Sequence, residues 1–494
     1  MQGTTQQSFF KNRSLLFLLI IVAVQIFWIS KSDGFYFIDD SCHFNYNRHY
    51  SESYDYSTGA WHRLGRVLLF ALPSQLGLKG VQIFSALIFL VTIFFSYKIL
   101  LQKKIKFAEW ILPAIAFQPV LFNISYTALA EVPAACLIVM SYYFFITEKK
   151  ALTLLTASLI FIFRTEYFYV AGIYFLIYTF RKEFKLLPLV LIGPVLWYLY
   201  TTIISGIPTL FFYDMTLHSR LPKINEGIEW EYYSWHAPMV YGYVQIIFFF
   251  VGLIVAMFQR KFKEYYLLIV FILLGLVIQT LFALKGLNLT CSVGQFRYIA
   301  VVGPLVGIIS VVGISYLFEK IPNVFLKMTA SVLLLLFMFF LGPFATPFHN
   351  KFKVEERSEE IVQLAGTNYP GYKIISNMHQ LANAMDEPAS GGENFLVMSK
   401  SNIEKSSKSL IVWNKDLDGS PFVEENVTLS YLESQPNFRL VKEYKDTVNN
   451  LTSIPLYNFN KEDGEHERRR EFIEYYIKEQ TTWENIHIKV FVKE

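Results

Sequence analysis

Residues 80–101 read GVQIFSALIFLVTIFFSYKILL and contain a single charged side chain, Lys98. A bilayer core of about 30 Å is crossed by roughly 20 apolar residues in a helix, so this stretch predicts a transmembrane span. Similar apolar runs recur over the first 345 residues. They predict about 11 transmembrane helices, at 14–30, 80–101, 108–125, 128–147, 151–163, 167–180, 186–205, 238–258, 265–284, 298–318 and 324–343.

Charge divides the 494-residue chain into two parts. Charged residues make up 17% of it, whereas soluble domains carry about 25%. Residues 351–494 hold 18 basic and 24 acidic residues, and the first 350 hold only 26 and 16. We therefore predict a polytopic α-helical membrane domain over 1–345 and a small extramembrane α/β domain over 346–494. In the latter, a helix at Glu355–Gly366 and short strands in YKIIS, NFLVM, SLIVW and IKVFV are expected.

Basic residues predict the orientation of the membrane domain. Short basic loops, which stay cytoplasmic, alternate with long connections at 31–79, 206–237 and 285–297. An odd number of spans then places the C-terminal domain on the outer face with these long loops. Residues 66–78 are too short to span and predict either an interfacial helix or a buried stretch of the outer loop. Because the basic residues are dispersed in short loops, no nucleic-acid partner is expected.

The strongest candidate for chemistry is GFYFIDDSCHFNYNR, residues 34–48, directly after the first span. Asp39 and Asp40 can supply a general base and a metal or substrate ligand, and close like charges raise the pKa of one of them. A solvated acidic turn is the alternative. His43 belongs to the same stretch.

Other charged residues lie at the predicted outer ends of spans. Glu131 begins the fourth span, where it is either functional or a helix-start acid. Arg164 and Glu166 interrupt an apolar run. Placing charged side chains in such a segment costs free energy, so they are expected either to pair with each other or to serve a function. Lys285 and Arg297 flank an outer loop, where they bind a lipid phosphate or extend to the interface from helix ends.

The loop 206–237 combines acidic and aromatic side chains. This composition suits either sugar binding or an interfacial aromatic belt. Its histidines, His218 and His236, have no metal-ligand spacing and predict structural or solvated side chains.

The order of these motifs resembles a known superfamily. An acidic pair after the first span is followed by RLG and LPSQLGLKGVQIFSALIFLVTIFF, then by AEVPA, FRTEYF and FRYIAVVGPLVG. Over about residues 10–345 this resembles the GT-C glycosyltransferases, specifically the protein O-mannosyltransferase and aminoarabinose-transferase-like group (family 39-like).

The resemblance implies a function and assigns roles. The donor would be a sugar on a polyprenyl phosphate, and the acceptor a hydroxyl of a lipid, glycan or protein at the outer face. Asp39 would be the general base of an inverting transfer, with Asp40 beside it where many relatives have Glu. The donor phosphate would be bound by Arg164, Lys285, Arg297 and Tyr298, and the acceptor or sugar by His43, Glu131 and Glu166. No cofactor is required, although a divalent cation (Mg²⁺ or Mn²⁺) held by Asp40 and Glu131 stays open.

Two other functions remain open from the sequence alone. An O-antigen polymerase or ligase would also have many spans and a large outer loop, and would not need the acidic pair. A transporter or flippase of lipid-linked glycans would show mid-membrane charges and often internal repeats. A bacterial inner membrane with a periplasmic active site is the preferred location.

Overall fold

The computed structural model of this chain describes residues 2–52, 63–213, 228–258, 262–284, 295–415, 427–449 and 483–493. Up to residue 345 these residues form helices and connecting turns. The first ten helices are α1 (Gln2–Lys31), α2 (Ile38–Arg48), α3 (Leu64–Gln75), α4 (Gly77–Gln102), α5 (Ile111–Ala116), α6 (Pro119–Ile124), α7 (Glu131–Ile146), α8 (Lys150–Phe163), α9 (Tyr169–Phe180) and α10 (Ile192–Ser205). They are followed by α11 (Tyr232–Tyr241), α12 (Tyr243–Phe258), α13 (Phe262–Ala283), α14 (Phe296–Ala300), α15 (Gly303–Lys320) and α16 (Val324–Phe340).

Several helices are long and apolar enough to cross a membrane. Among the described residues there are six such helical segments, or seven if α11 and α12, bent by 109° at their junction, form one span. The six are Arg13–Lys31, Gly77–Gln102, Phe184–Ser205, Lys263–Ala283, Gly303–Lys320 and Val324–Ala345. The chain is therefore an integral membrane protein, and the count of 11 spans stays a prediction.

The span predicted at 108–125 is wrong as a single helix. A 3₁₀ turn at Ala108–Trp110 leads into α5, and α6 begins separately at Pro119. Gln118 is extended, as expected for a residue that precedes a proline. These pieces are buried among the other helices, so protein rather than lipid surrounds their broken backbone. In contrast, the interfacial helix predicted at 66–78 corresponds to α3.

Helices α12 and α15 pack closely because each has a glycine at the contact. A Cβ on Gly252 would lie 2.1 Å from the carbonyl oxygen of Ile309, and one on Gly313 would lie 2.3 Å from that of Phe248. Ser310 Oγ also donates a hydrogen bond of 2.7 Å to the carbonyl of Gln245. Small residues and interhelical hydrogen bonds are what hold helices together in a membrane.

We expect Gly252→Ala to destabilise the protein by about 1–3 kcal/mol, because the added methyl group forces α12 away from α15. Gly172→Ala in α9 is the matched control, since its Cβ would meet nothing within 4 Å. Thermal unfolding of both variants in detergent measures the difference. Equal midpoints for the two would contradict the close backbone contact.

After residue 345 the chain builds a small domain of helices and one sheet. Its helices are α17 (Lys353–Asn368), α18 (His379–Met385), α19 (Lys400–Lys405) and α20 (Leu429–Ser434). Its strands are β1 (Lys373–Ser376), β2 (Phe395–Val397), β3 (Ser409–Asn414), β4 (Phe438–Asn449) and β5 (Trp483–Lys493). The sheet order is β2-β1-β3-β5-β4, with β1 parallel to β2 and β3 and with β5 antiparallel to β3 and β4. The predicted helix and four strands are present, and β4 is an addition.

The connection to this domain lies against the segment that follows α1. His349 donates its backbone N–H to Ser32 Oγ at 2.9 Å and accepts from the N–H of Gly34 at 2.7 Å. Gly34 is required here, because a Cβ would lie 2.2 Å from the carbonyl oxygen of Asn350. The His349 ring stacks on Tyr126 at 4.2 Å and bonds Asn123 at 2.9 Å. The start of the sheet domain and the end of α1 are therefore held together.

Candidate active site

The acidic pair lies in the first turn of α2, not in a solvated turn. Helix N-termini favour acidic side chains, because their unpaired N–H groups carry partial positive charge. The two carboxylates have different surroundings. Asp39 is 22% exposed and forms an ion pair with Arg297, whereas Asp40 is 1% exposed.

Asp40 links α2 by a hydrogen bond to the turn that precedes α7. Its Oδ1 accepts the N–H of Ala128 at 2.7 Å, and its Oδ2 accepts that of Tyr36 at 3.1 Å. Burial raises the pKa of Asp40 to about 6, although both hydrogen bonds and the charges of Arg297 and Arg66 act in the opposite direction. A raised pKa was expected within the pair, but burial causes it, not repulsion by Asp39.

Glu131 is the first residue of α7, as predicted, and its side chain is completely buried. Its Oε1 accepts a hydrogen bond from Nη2 of Arg164 and lies 3.4 Å from Nε of Arg297. A helix-start acid is stabilised by the helix dipole alone. Glu131 also neutralises two guanidinium groups, so it connects α7 to two distant parts of the chain.

Arg164 and Glu166 lie where a helix breaks. α8 ends at Phe163, Arg164 is extended, and a 3₁₀ turn at Thr165–Tyr167 precedes α9. Arg164 Nη1 donates to Glu166 Oε1 at 3.0 Å, so these two residues do pair with each other. Arg63, just before α3, extends the contact: its Nη2 lies 3.4 Å from Glu166 Oε2, and its Nη1 donates to Thr165 Oγ1 at 2.8 Å.

These contacts connect six side chains of alternating charge, which we call the charge chain. In order, its members are Asp39, Arg297, Glu131, Arg164, Glu166 and Arg63. Exposure is lowest at Glu131 and highest at the two ends, Asp39 and Arg63. Buried charges are tolerated only when paired, and here three acids balance three bases. The two ends are therefore the most accessible members of the charge chain.

Tyr298 lies against the middle of the charge chain. The guanidinium carbon of Arg164 is 4.8 Å from its ring centre, and that of Arg297 is 5.4 Å away. Both distances are typical of cation–π contacts. The ring therefore fixes the orientation of both guanidinium groups.

The remaining sequence candidates are placed elsewhere. His43 is buried in α2, and its carbonyl accepts from Arg66 at 3.1 Å. His236 is buried in α11 and stacks on Phe296 at 5.1 Å, which fits the structural histidine that was predicted. Lys285, His218 and most polar residues of the loop 206–237 lie outside the described residues.

Within the described ranges, no three His, Cys, Asp or Glu side chains are grouped as metal ligands. The oxygens proposed for a cation are already engaged: Asp40 accepts two backbone N–H groups, and Glu131 Oε1 accepts a guanidinium. Glu131 Oε2 is buried without a hydrogen-bond partner among the described residues, so a divalent cation at Asp40 and Glu131 stays a prediction.

Sequence reasoning missed Arg63. The available signal was its position in a predicted outer loop, where basic residues are less common than in cytoplasmic loops. It also missed His379 at the start of α18, the helix whose Asn383 hydrogen-bonds Ser41 and Asn45 of α2. Nothing in the local sequence relates His379 to a residue 340 positions earlier.

The apolar helices, together with a buried charge chain at their breaks, define a polytopic α-helical membrane protein. Two crystal structures of ArnT from Cupriavidus metallidurans match it, one bound to undecaprenyl phosphate and one in the apo state, with TM-scores of 0.58 and 0.57. Each is 12% identical and covers 81% of this chain and 93% of ArnT. No family model and no curated protein matches the sequence. The likeness confirms, at the level of the fold, the resemblance seen in the motifs.

Proposed function

We propose that this protein is a glycosyltransferase that moves a sugar from a polyprenyl phosphate to a hydroxyl acceptor. The observation that carries the proposal is the charge chain, which places the partly exposed carboxylate of Asp39 directly against the guanidinium of Arg297. A transfer of this kind needs a base for the acceptor and cations for the leaving phosphate. The ArnT-like fold supports the lipid donor, because one of the matching structures is bound to undecaprenyl phosphate.

In the proposed reaction, the acceptor oxygen attacks the anomeric carbon while Asp39 removes its proton. The bond between that carbon and the phosphate oxygen breaks, and polyprenyl phosphate leaves as an anion. Direct displacement inverts the anomeric centre. Asp40 holds α2 against the turn before α7 and so positions Asp39.

The leaving phosphate would be bound by guanidinium groups of the charge chain. Arg297 and Arg164 are candidates, with Tyr298 orienting both and Lys285 as a further predicted cation. A phosphate that binds Arg297 competes with Asp39 for the same guanidinium. Donor binding would then release Asp39 from its ion pair, so the base becomes available when the donor is present.

The proposal includes a topology. Residues 1–345 would form the transmembrane domain with 11 spans, and 346–494 a periplasmic domain of a bacterial inner-membrane protein. The contacts between the segment after α1 and the segment around His349 support a common side for the acidic loop and the sheet domain. Accessibility of single cysteines to a membrane-impermeant thiol reagent tests the sidedness.

The deciding experiment uses the full-length protein purified in detergent. It is incubated with a panel of undecaprenyl phosphates carrying radiolabelled single sugars, together with a bacterial cell-envelope fraction. Loss of label from one lipid and its appearance in the envelope fraction would support the transferase. Consumption of diphosphate-linked oligosaccharides instead would favour the polymerase or ligase. Movement of lipid across vesicles without loss of label would favour the flippase.

A further inference from the structure

The C-terminal domain is docked on the helix that carries the acidic pair. Asn383 of α18 accepts from Asn45 Nδ2 at 2.9 Å and donates to Ser41 Oγ at 3.0 Å. Arg48 Nη2 donates to Asp386 Oδ2 at 2.7 Å. These contacts run along one side of α2, so the position of α18 relative to Asp39 is fixed by specific side chains.

His379 is the first residue of α18, one turn before Asn383. Because Asn383 contacts Ser41 and the following Asp386 contacts Arg48, His379 lies toward the end of the interface where α2 begins with Asp39 in its first turn. Its Nε2 is buried, and it has no hydrogen-bond partner among the described residues. Burial lowers the pKa of His379 to about 4, and the charge of Asp39 raises it only in part. At neutral pH the ring is uncharged, with one N–H to donate and one nitrogen to accept.

A buried polar atom without a partner costs stability, and such atoms in native proteins call for an explanation. An unsatisfied ring nitrogen alone does not single out His379, since His349 bonds Asn123 through Nε2 while its buried Nδ1 has no hydrogen-bond partner among the described residues. What distinguishes His379 is its place in the fold, because α18 is docked on α2, the helix whose first turn carries the partly exposed Asp39. A ligand that reaches Asp39 is the partner that fits this position.

We propose that the C-terminal domain supplies His379 to the transfer site, where Nε2 hydrogen-bonds an oxygen of the acceptor beside Asp39. The inference rests on the proposed function and assigns the sheet domain a part in acceptor selection. Asp39 takes the proton of the attacking hydroxyl, and His379 binds a second oxygen next to it. The acceptor class is therefore one with adjacent oxygens, as on a carbohydrate, and not an isolated hydroxyl.

The test compares His379→Phe with wild type in the label-transfer assay. The envelope fraction and the labelled lipid are titrated separately. The amount of envelope fraction that gives half-maximal rate should rise about tenfold, which corresponds to roughly 1.4 kcal/mol. The lipid concentration for half-maximal rate should not change. His379→Gln, whose amide nitrogen can replace Nε2, should restore acceptor use to within about threefold of wild type.

His487→Phe is the matched control. This histidine belongs to β5 of the same domain, bonds Glu443 at 2.9 Å and contacts the Trp413 ring, so its contacts are within the sheet. It should change neither titration. The inference is overturned if His379→Phe needs the same amount of envelope fraction for half-maximal rate as wild type does. It is also overturned if His379→Phe and His379→Gln raise that amount equally. It fails together with the proposed function only if the wild-type protein transfers no label.

Discussion

Replacing Asp39 with Asn is expected to reduce the rate of sugar transfer by roughly 10²- to 10⁴-fold, the range typical of a lost general base. Asn has almost the same shape but cannot take the proton of the acceptor hydroxyl. The protein should stay folded, because Asp39 lies at the exposed end of the charge chain and Arg297 keeps Glu131 as a partner. Loss of label from the undecaprenyl-phosphate donor measures the rate.

A purely structural role for Asp39 would have a different signature. If it served only to neutralise Arg297, its removal would leave that guanidinium more available for the lipid phosphate. Donor affinity would rise, and turnover would fall little. We expect donor affinity that is equal or higher together with a large fall in turnover, and this combination separates the base from a structural partner.

The matched control is Asp33→Asn, the same substitution six residues earlier, in the segment between α1 and α2. Asp33 is exposed and accepts a backbone hydrogen bond from Lys351 at 3.3 Å. The Asp33→Asn variant should retain wild-type turnover. Turnover by Asp39→Asn within about threefold of wild type would remove Asp39 from the chemistry, since a general base contributes at least about a hundredfold.

Much of the charge chain could be predicted because charges are costly in apolar sequence. Glu131, Arg164 and Glu166 stand out against their surroundings, and their burial must be compensated by partners or function. The sequence indicated that Arg164 and Glu166 could pair with each other, but it did not indicate the pairs between distant segments. Glu131 receives its two guanidinium partners from elsewhere in the chain, Arg164 33 positions later and Arg297 166 positions later. Ion pairs between distant segments are set by helix packing, which no local pattern contains.

The same limit explains what was missed in the C-terminal domain. Four strands were recognised from continuous apolar runs, which are typical of buried strands. β4 carries Lys442, Glu443 and Lys445, and a register shift between Leu440 and Lys442 interrupts its alternation. Charged side chains and bulges are what protect an exposed sheet edge, and β4 is an edge strand. His379 was missed because its importance arises only from the docking of α18 on α2.

The second large effect is expected from Glu131→Gln, which should destabilise the protein by about 3–5 kcal/mol. Gln preserves size but removes the negative charge between Arg164 and Arg297. The charge chain then holds three cations and two anions, and the excess charge is buried. Thermal or denaturant unfolding in detergent measures the loss.

Glu148→Gln is the control for Glu131→Gln. It removes an acid of the same type from an exposed pair with Arg181, whose closest atoms are 3.7 Å apart. Exposed pairs contribute about 0–1 kcal/mol, so little change is expected. An equal effect of the two substitutions would show that Glu131 is not compensating buried cations.

The negative charge that Glu131→Gln removes allows a second test of this prediction. Since the variant has an unneutralised guanidinium, an anion that reaches the charge chain should stabilise it more than it stabilises wild type. Undecaprenyl phosphate should therefore raise the unfolding midpoint of Glu131→Gln by more than it raises that of the wild-type protein. The reason is that a ligand which binds the folded state stabilises it, and tighter binding stabilises it more. Unsubstituted undecaprenol is the matched lipid without the phosphate and should leave the difference between the two proteins unchanged. A loss of stability in Glu131→Gln that the phosphate lipid does not relieve would place the lipid phosphate away from Arg164 and Arg297, and would assign these guanidinium groups to the structure of the membrane domain alone.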